Sequence, residues 1–347
     1  MRYFWNAHRK DSKFWLIIGL TALVIFLGTI IGLRAWYNHN LSPVSDSTTT
    51  QYFTVVPGST LHEIAVNLAR KKLIRSDRAF ETYVRGNELH DSLQAGTYSL
   101  SPSMSVQQIV HKMVEGDVAK NLLTILPAKH LKQIQDTFKK EGYKDDEIEV
   151  AFQVSQYRDH PVLQSLPPGA TLEGYLYPDS FQKEVTTPAT TIIRQSLDEM
   201  QKHLTPAIKS GFKSHGLSEY QGITLASLVL QESDDPEVQP IIAQVYMKRL
   251  NQGMPLQADP TVFYASELLG VDNSLSVNSE YNTYLHKGLP PGPIGNVTED
   301  AMVAVANPAK SDYLFFVAGD DGKVHFSHTK EEHDAATKKY CHKLCQQ

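Results

Sequence analysis

A run of twenty residues without a charged side chain, from Phe14 to Leu33, constrains this chain more than any other feature. At about 1.5 Å of rise per residue, a helix of that length crosses the roughly 30 Å apolar core of a bilayer. The pattern predicts a cytoplasmic tail over residues 1–13 and a transmembrane helix over residues 14–33. The Ser- and Thr-rich residues 34–50 then predict a flexible stalk.

Basic residues lie mainly on the N-terminal side of this run, and only Arg34 closely follows it. The positive-inside rule therefore predicts a single-pass protein of the cytoplasmic (inner) membrane, with its N-terminus in the cytoplasm and the remainder outside. A cleaved signal peptide is the alternative. Because the apolar run exceeds the usual signal core and no small-x-small site follows it, we favour an uncleaved anchor in contact with membrane lipid. The preceding basic residues are Arg2, Arg9, Lys10 and Lys13.

Composition and scattered motifs exclude several functional classes. A net charge of -5 and a pI near 6.3 give no basic field for nucleic acid. His325, His328 and His333 invite a metal interpretation, but a strand followed by a helix start would not bring them together, so we expect neither metal nor cofactor. Cys341 and Cys345 are too few for a disulfide framework, and a local disulfide or free thiols remain alternatives.

A pattern of strand, proline and amphipathic helix occurs three times, at Pro57, Pro102 and Pro127. Thr60 with Glu63, and Ser105 with Gln108, form capping boxes that predict helix starts after the first two prolines. These two copies predict a small module over residues 51–119. Its arrangement resembles a LysM-like glycan-binding module, and a structural spacer is the alternative.

The third copy begins a larger segment, residues 120–347, in which strands and helices mix without regular βαβ alternation. This favours an α+β fold. We predict amphipathic helices over Thr190–Ser210 and Glu237–Asn251, and a hairpin formed by residues 313–318 and 324–327.

Glu232 closes the apolar segment ITLASLVL and is a candidate acid catalyst. A carboxylate beside apolar side chains loses hydration, so its pKa rises and it can hold a proton near neutrality. The alternative is a solvated helix end. Glu173 and Asp179 are further candidate carboxylates, but their surroundings favour structural roles.

Four segments stand in order after residue 170: EGYLYPD, ASLVLQES, LQADPTV and YNTYLHKGLPPGPIGN. Together with the anchor and the module, they resemble the YceG-like, or endolytic murein transglycosylase, family. The resemblance implies a catalytic domain over 120–347 that cleaves peptidoglycan strands between N-acetylmuramic acid and N-acetylglucosamine without water, leaving 1,6-anhydro ends. Because the sugar's own 6-hydroxyl attacks, one carboxyl group suffices, acting first as acid and then as base. The family's essential Glu corresponds to Glu232.

The chain departs from the family at Leu230, where relatives usually carry Glu, and also at residues 126–131 and at Val297. Two residues on a helix point about 200° apart, so position 230 should face away from Glu232. An inactive scaffold that holds glycan or recruits peptidoglycan synthases (penicillin-binding proteins) is the alternative function, and a hydrolase is a third.

Substrate contacts are expected from side chains with ring faces, amides or carboxylates near the family motifs. Gln257 and Asp259 lie in a predicted turn before Pro260. The remaining candidates are Tyr281, Asn282 and Tyr284.

Overall fold

The structure is a computed structural model that describes residues 7–184 and 186–342. The chain divides into two compact units after Lys120. Residues 1–6 of the predicted cytoplasmic tail and Cys345 lie outside the described ranges. Cys341 is disulfide-bonded.

The first helix, α1, covers Ala7–Leu41. Within the described part of the chain, it is the one helix long and apolar enough to cross a membrane, over Leu20–Leu41, and its most apolar window of 18 residues has a mean hydropathy of 1.7 and is not buried against the protein. Length and composition alone make it compatible with the predicted anchor.

The segment predicted as a flexible stalk, residues 34–50, begins within α1. Helix α1 continues to Leu41, whose side chain is buried in the core of the first unit. The helix stops before Pro43, because a proline disfavours helical geometry in the residue that precedes it. The Arg75 guanidinium then donates hydrogen bonds to the Pro43 carbonyl, at 2.7 and 3.0 Å. The chain here is held by side-chain contacts that polar composition does not reveal.

The first unit contains a two-stranded antiparallel sheet and three helices beyond α1. Phe53 pairs with Tyr98 across the sheet, and both side chains are buried on the same face, as the period-two pattern requires. Both predicted capping boxes are present at the starts of their helices. The elements are β1 (Gln51–Val55), α2 (Leu61–Arg70), α3 (Asp77–Gly86), β2 (Gly96–Leu100) and α4 (Val106–Glu115).

The second unit is a mixed α+β arrangement in which helices dominate and two small antiparallel sheets pair β3 with β4 and β5 with β6. Short 3-10 turns cover Val154–Tyr157 and Pro161–Leu163. The elements are β3 (Leu122–Thr124), α5 (Leu131–Lys140), α6 (Asp145–Ala151), β4 (Ser180–Gln182), α7 (Ala189–His203), α8 (Pro206–Ser214), α9 (Glu219–Glu232), α10 (Gln239–Asn251), α11 (Asp259–Leu269), α12 (Glu299–Ala306), β5 (Phe315–Ala318), β6 (Val324–Ser327) and α13 (Lys330–Tyr340).

The predicted hairpin and the helix near residues 237–251 are confirmed, but the single helix predicted over Thr190–Ser210 is wrong. It divides into α7 and α8 because Pro206 cannot continue a helix and instead begins the next one. Thr205 caps α8 by accepting a hydrogen bond from the Ile208 amide.

Helix α9 lies at the centre of the second unit. Every residue from Gly222 to Leu230 is buried. A side chain at Gly222 would meet the ring of Phe212 at 2.2 Å, so the glycine permits close packing with α8. This rigid apolar helix places its last residue, Glu232, at the end of the core.

Candidate active site

Glu232 is half-buried at the C-terminal end of α9. Its Oε1 accepts a hydrogen bond of 2.5 Å from the hydroxyl of Tyr246 on α10. Desolvation by the surrounding protein raises the pKa of Glu232 to about 7, the nearby charge of Asp259 adds to the rise, and the Tyr246 hydrogen bond opposes it. A carboxyl group with this pKa exchanges a proton readily near neutral pH.

Arg249 lies one helical turn after Tyr246 and is buried. Its guanidinium donates to the carbonyls of Leu256, at 2.7 Å, and Leu314, at 2.9 Å. Its positive charge lowers the pKa of Glu232. Arg249 therefore ties α10 to the turn before α11 and to the hairpin, while placing a cation near the carboxyl group. Sequence reasoning missed both α10 residues, although their spacing of three places them on one helix face.

Leu230 and Glu232 lie in different surroundings although two residues separate them. Leu230 belongs to the buried apolar core, whereas Glu232 reaches Tyr246 at the helix end. Between them, Gln231 donates from Nε2 to the Ala128 carbonyl at 2.9 Å. Position 230 thus faces away from the candidate acid, in accordance with the helical geometry.

Asp259 and Tyr284 lie close to Glu232. The Tyr284 hydroxyl donates to Asp259 Oδ1 at 2.5 Å, and both residues interact electrostatically with Glu232. Asp259 is exposed and begins α11, where the sequence predicted only a turn. Pro260 explains the difference, since proline is favoured in the first turn of a helix.

Gln257 and Asn282 contribute in different ways. Gln257 is exposed, and its backbone has a positive φ of 52° just before α11. Asn282 is fully buried: its amide nitrogen donates to the carbonyls of Leu275 and Val277, and its Oδ1 accepts from the Tyr284 amide at 3.0 Å. The backbone thus occupies the Asn282 amide, which shapes the loop that carries Tyr284.

Tyr281 lies in a second cluster, around Glu173. Its ring is 4.9 Å from that of Tyr264, whose hydroxyl donates to Glu173 Oε2 at 3.1 Å. Burial raises the pKa of Glu173 to about 7, although three hydrogen bonds to the carboxylate oppose the rise. The structure therefore groups Asp259 and Tyr284 with Glu232, and Tyr281 with Glu173.

A cavity of about 1160 Å³ lies beside the N-terminal half of α9 and is not lined by Glu232. Tyr220, Thr224, Met247 and Asn251 are among its lining residues. The Glu232 carboxyl group and this cavity are therefore separate, although both belong to the second unit.

The three histidines considered as metal ligands have separate neighbours. His325 contacts Asp321, His328 contacts Asp312, and His333 stacks on Phe315. Among residues 7–184 and 186–342, no group of three or more candidate metal ligands occurs.

Comparison with known proteins resolves the family. The sequence model of the YceG-like family matches residues 53–339. The chain belongs to this family. A crystal structure of a YceG-like protein from Listeria monocytogenes is 34% identical, with a TM-score of 0.55, and the match covers 83% of this chain and 99% of that one.

Curated relatives of this YceG-like chain carry the name endolytic murein transglycosylase. The protein from Bacillus subtilis (strain 168) is 32% identical over 331 residues, which cover 90% of this chain and 91% of the relative. The protein from Streptococcus pneumoniae serotype 2 (strain D39) is also 32% identical, but the match covers 85% of this chain and only 59% of the longer relative.

Proposed function

We propose that this chain is a membrane-anchored endolytic lytic transglycosylase that cleaves peptidoglycan glycan strands and forms 1,6-anhydro-N-acetylmuramic acid ends. The observation that carries the proposal is the carboxyl group of Glu232, which combines a pKa of about 7 with a fixed position at the end of a buried helix. The names of the relatives supply the substrate class.

In the first half of the reaction, protonated Glu232 donates to the oxygen that joins C1 of N-acetylmuramic acid to C4 of N-acetylglucosamine. The C1–O bond breaks, the departing sugar keeps the proton as a hydroxyl, and an oxocarbenium-like centre develops at C1. Tyr246 engages Oε1, so Oε2 is the oxygen that transfers the proton. The same hydrogen bond stabilises the carboxylate that remains.

In the second half, the Glu232 carboxylate removes the proton from the 6-hydroxyl of the same N-acetylmuramic acid as that oxygen bonds to C1. This closes the anhydro ring, restores the acid and consumes no water. The carboxylate of Asp259, held by Tyr284, lies close enough to Glu232 to offset positive charge on the reacting sugar. One acid-base residue therefore completes the cycle.

Substrate contacts are proposed at side chains near α11 and in the loop that carries Tyr284. Tyr284 and Tyr281, both half-buried, offer ring faces to sugars, and the exposed Gln257 offers an amide just before α11. Asn282 supports the site by shaping the loop. The module over residues 51–119 is proposed to hold glycan in a LysM-like manner.

We assign the chain to the cytoplasmic membrane, with α1 in contact with lipid and the catalytic domain outside. The charge asymmetry around residues 14–33 supports this orientation. Hydrogen bonds that hold the chain just after α1 keep the first unit close to the end of the anchor. Strands near the membrane, and the synthases that make them, are then the accessible partners.

The test is digestion of purified peptidoglycan by the full chain in detergent, followed by mass spectrometry of the ends. Anhydro ends that disappear with Glu232→Gln are the expected result. Reducing ends would instead identify a hydrolase. Absence of cleavage, with retained glycan binding, would identify a scaffold and overturn the proposal.

A further inference from the structure

The proposed reaction does not use Glu173, a buried carboxyl group that is only 7% exposed. Its two oxygens accept from the Leu131 amide at 3.2 and 3.1 Å, and Oε2 also accepts from the Tyr264 hydroxyl at 3.1 Å. Burying a carboxyl group costs free energy unless such donors compensate, so its presence calls for a role.

Glu173 first anchors the beginning of α5. Leu131 is the first residue of that helix, and His130 before it makes no side-chain capping hydrogen bond. A carboxylate at this position satisfies a free amide and interacts favourably with the helix dipole. The cap comes from 42 positions further along the chain.

Glu173 also holds α11 through Tyr264. This helix begins at Asp259, five residues before Tyr264, and Asp259 binds the Tyr284 hydroxyl near Glu232. The Tyr264 ring contacts Tyr281, which lies in the same loop as Tyr284. The hydroxyl of Tyr264 thus connects Glu173 to both segments that carry the proposed substrate contacts.

A second route runs from Glu173 toward the candidate acid. The segment that ends at Leu131 includes Ala128, whose carbonyl accepts from Gln231, the residue just before Glu232. Ala128 holds a positive φ of 57°, which a non-glycine residue adopts only when its surroundings impose it. Glu173 therefore borders both a segment that supports Glu232 and the helix that presents Asp259.

We propose that Glu173 is a positioning residue: by binding Leu131 and Tyr264 together, it sets the placement of α11 and its neighbouring loop relative to Glu232. The inference rests on the proposed function and adds a residue that acts without touching the reacting bond. Small displacements of such supports can cost about a hundredfold in rate.

The hydroxyl of Tyr264 offers a minimal test. Tyr264→Phe removes the donor to Glu173 and keeps the ring that packs against Tyr281. The matched control is Tyr143→Phe, which removes a comparable hydroxyl hydrogen bond, 2.9 Å to the Thr187 carbonyl, elsewhere in the same unit. We expect Tyr264→Phe to lower kcat about ten- to a hundredfold with little change in KM, and the control to leave both unchanged.

Hydrogen exchange gives a readout that does not depend on activity. In Tyr264→Phe, backbone amides near Asp259 and around Tyr284 should exchange faster at a temperature where both variants remain folded, whereas Tyr143→Phe should match the parent there. Unchanged exchange at these segments would overturn the positioning role. An inactive parent chain would refute the proposed function alone, because exchange would still decide the role of Glu173.

A purely structural role gives a different pattern. It predicts a lower Tm for Tyr264→Phe with kcat and local exchange unchanged, and that outcome would also overturn the proposal. The pH–rate profile of cleavage also distinguishes the positioning role from a purely structural one. Besides Glu173, the ionisable groups near Tyr264 are the His130–Glu267 pair and the hydroxyls of Tyr281 and Tyr220. We expect the profile of Tyr264→Phe to change in shape, whereas that of Tyr143→Phe should overlay the parent profile.

Discussion

The hydroxyl of Tyr246 lies 2.5 Å from Glu232 Oε1, joining the middle of α10 to the last residue of α9. The tyrosine is buried, and its hydroxyl pKa is raised far above the ordinary value by that burial and by the Glu232 charge. The phenol therefore stays protonated and donates. It fixes one carboxyl oxygen and favours the ionised form of Glu232.

Tyr246→Phe removes this donor with little change in shape. Because the hydrogen bond lowers the pKa of Glu232, its loss should move that pKa above about 7. The acid form would then persist to higher pH, so the falling limb of the kcat/KM profile should shift upward, while the rate at the optimum falls about tenfold as orientation is lost. A pH–rate profile whose falling limb stays in place would contradict this account.

Glu232→Gln keeps the side-chain shape but removes the titrating proton. We expect cleavage to fall by about 10² to 10⁴, the usual contribution of a general acid-base group, with folding intact. Counting anhydro ends by mass spectrometry measures the loss, and circular dichroism checks the fold. Glu149→Gln, which changes an exposed carboxyl group on α6, is the control. Full activity in Glu232→Gln would remove this residue from the mechanism.

The same variant should change how stability depends on pH. The pKa of Glu232 rises from 4.5 to about 7 on folding, so between those values the folded chain binds more protons than the unfolded chain. Stability from this group is complete below pH 4.5 and is lost as pH rises through about 7. At about 1.4 kcal/mol per pH unit, the upper limit of this loss is about 3 kcal/mol.

Glu232→Gln has no ionisable group at this position, so it does not lose this stability as the pH rises. Relative to the parent, it should therefore be more stable at pH 8 than at pH 5, as measured by denaturant unfolding of both proteins at each pH. Equal differences at the two pH values would show that the carboxyl group is not desolvated in the folded chain.

Local patterns predicted the elements well because their causes are local. Capping boxes and prolines set the starts of α2 and α4, and two short strand segments on either side of the turn at residues 319–322 identified the hairpin. Pro206 is an equally local signal for a helix boundary. The prediction of one continuous helix was wrong because the apolar periodicity continues past this proline, although the proline begins a new helix.

The surroundings of the candidate site could not be read in the same way. Tyr246 meets Glu232 from 14 residues away, and Tyr264 meets Glu173 from 91 residues away, separations that no short motif encodes. Asn282 illustrates a second limit: an amide beside two tyrosines resembles a sugar contact in sequence, yet the folded loop occupies it with backbone groups.

Leu230→Glu introduces the residue that the family resemblance leads us to expect at this position and tests whether the chain needs it. Leu230 is 6% exposed within the apolar core, so a carboxylate there would lack a charge partner. We expect a loss of about 3 kcal/mol or more in unfolding free energy at pH 8, and a smaller loss at pH 5, where protonation relieves the buried charge. Leu230→Met, which keeps volume and polarity, is the control and should cost less than about 1.5 kcal/mol.

Because position 230 faces away from Glu232, anhydro ends formed per folded molecule should not increase in Leu230→Glu. A gain of several orders of magnitude would instead show that a second acid belongs in this site and that Leu230 marks its loss.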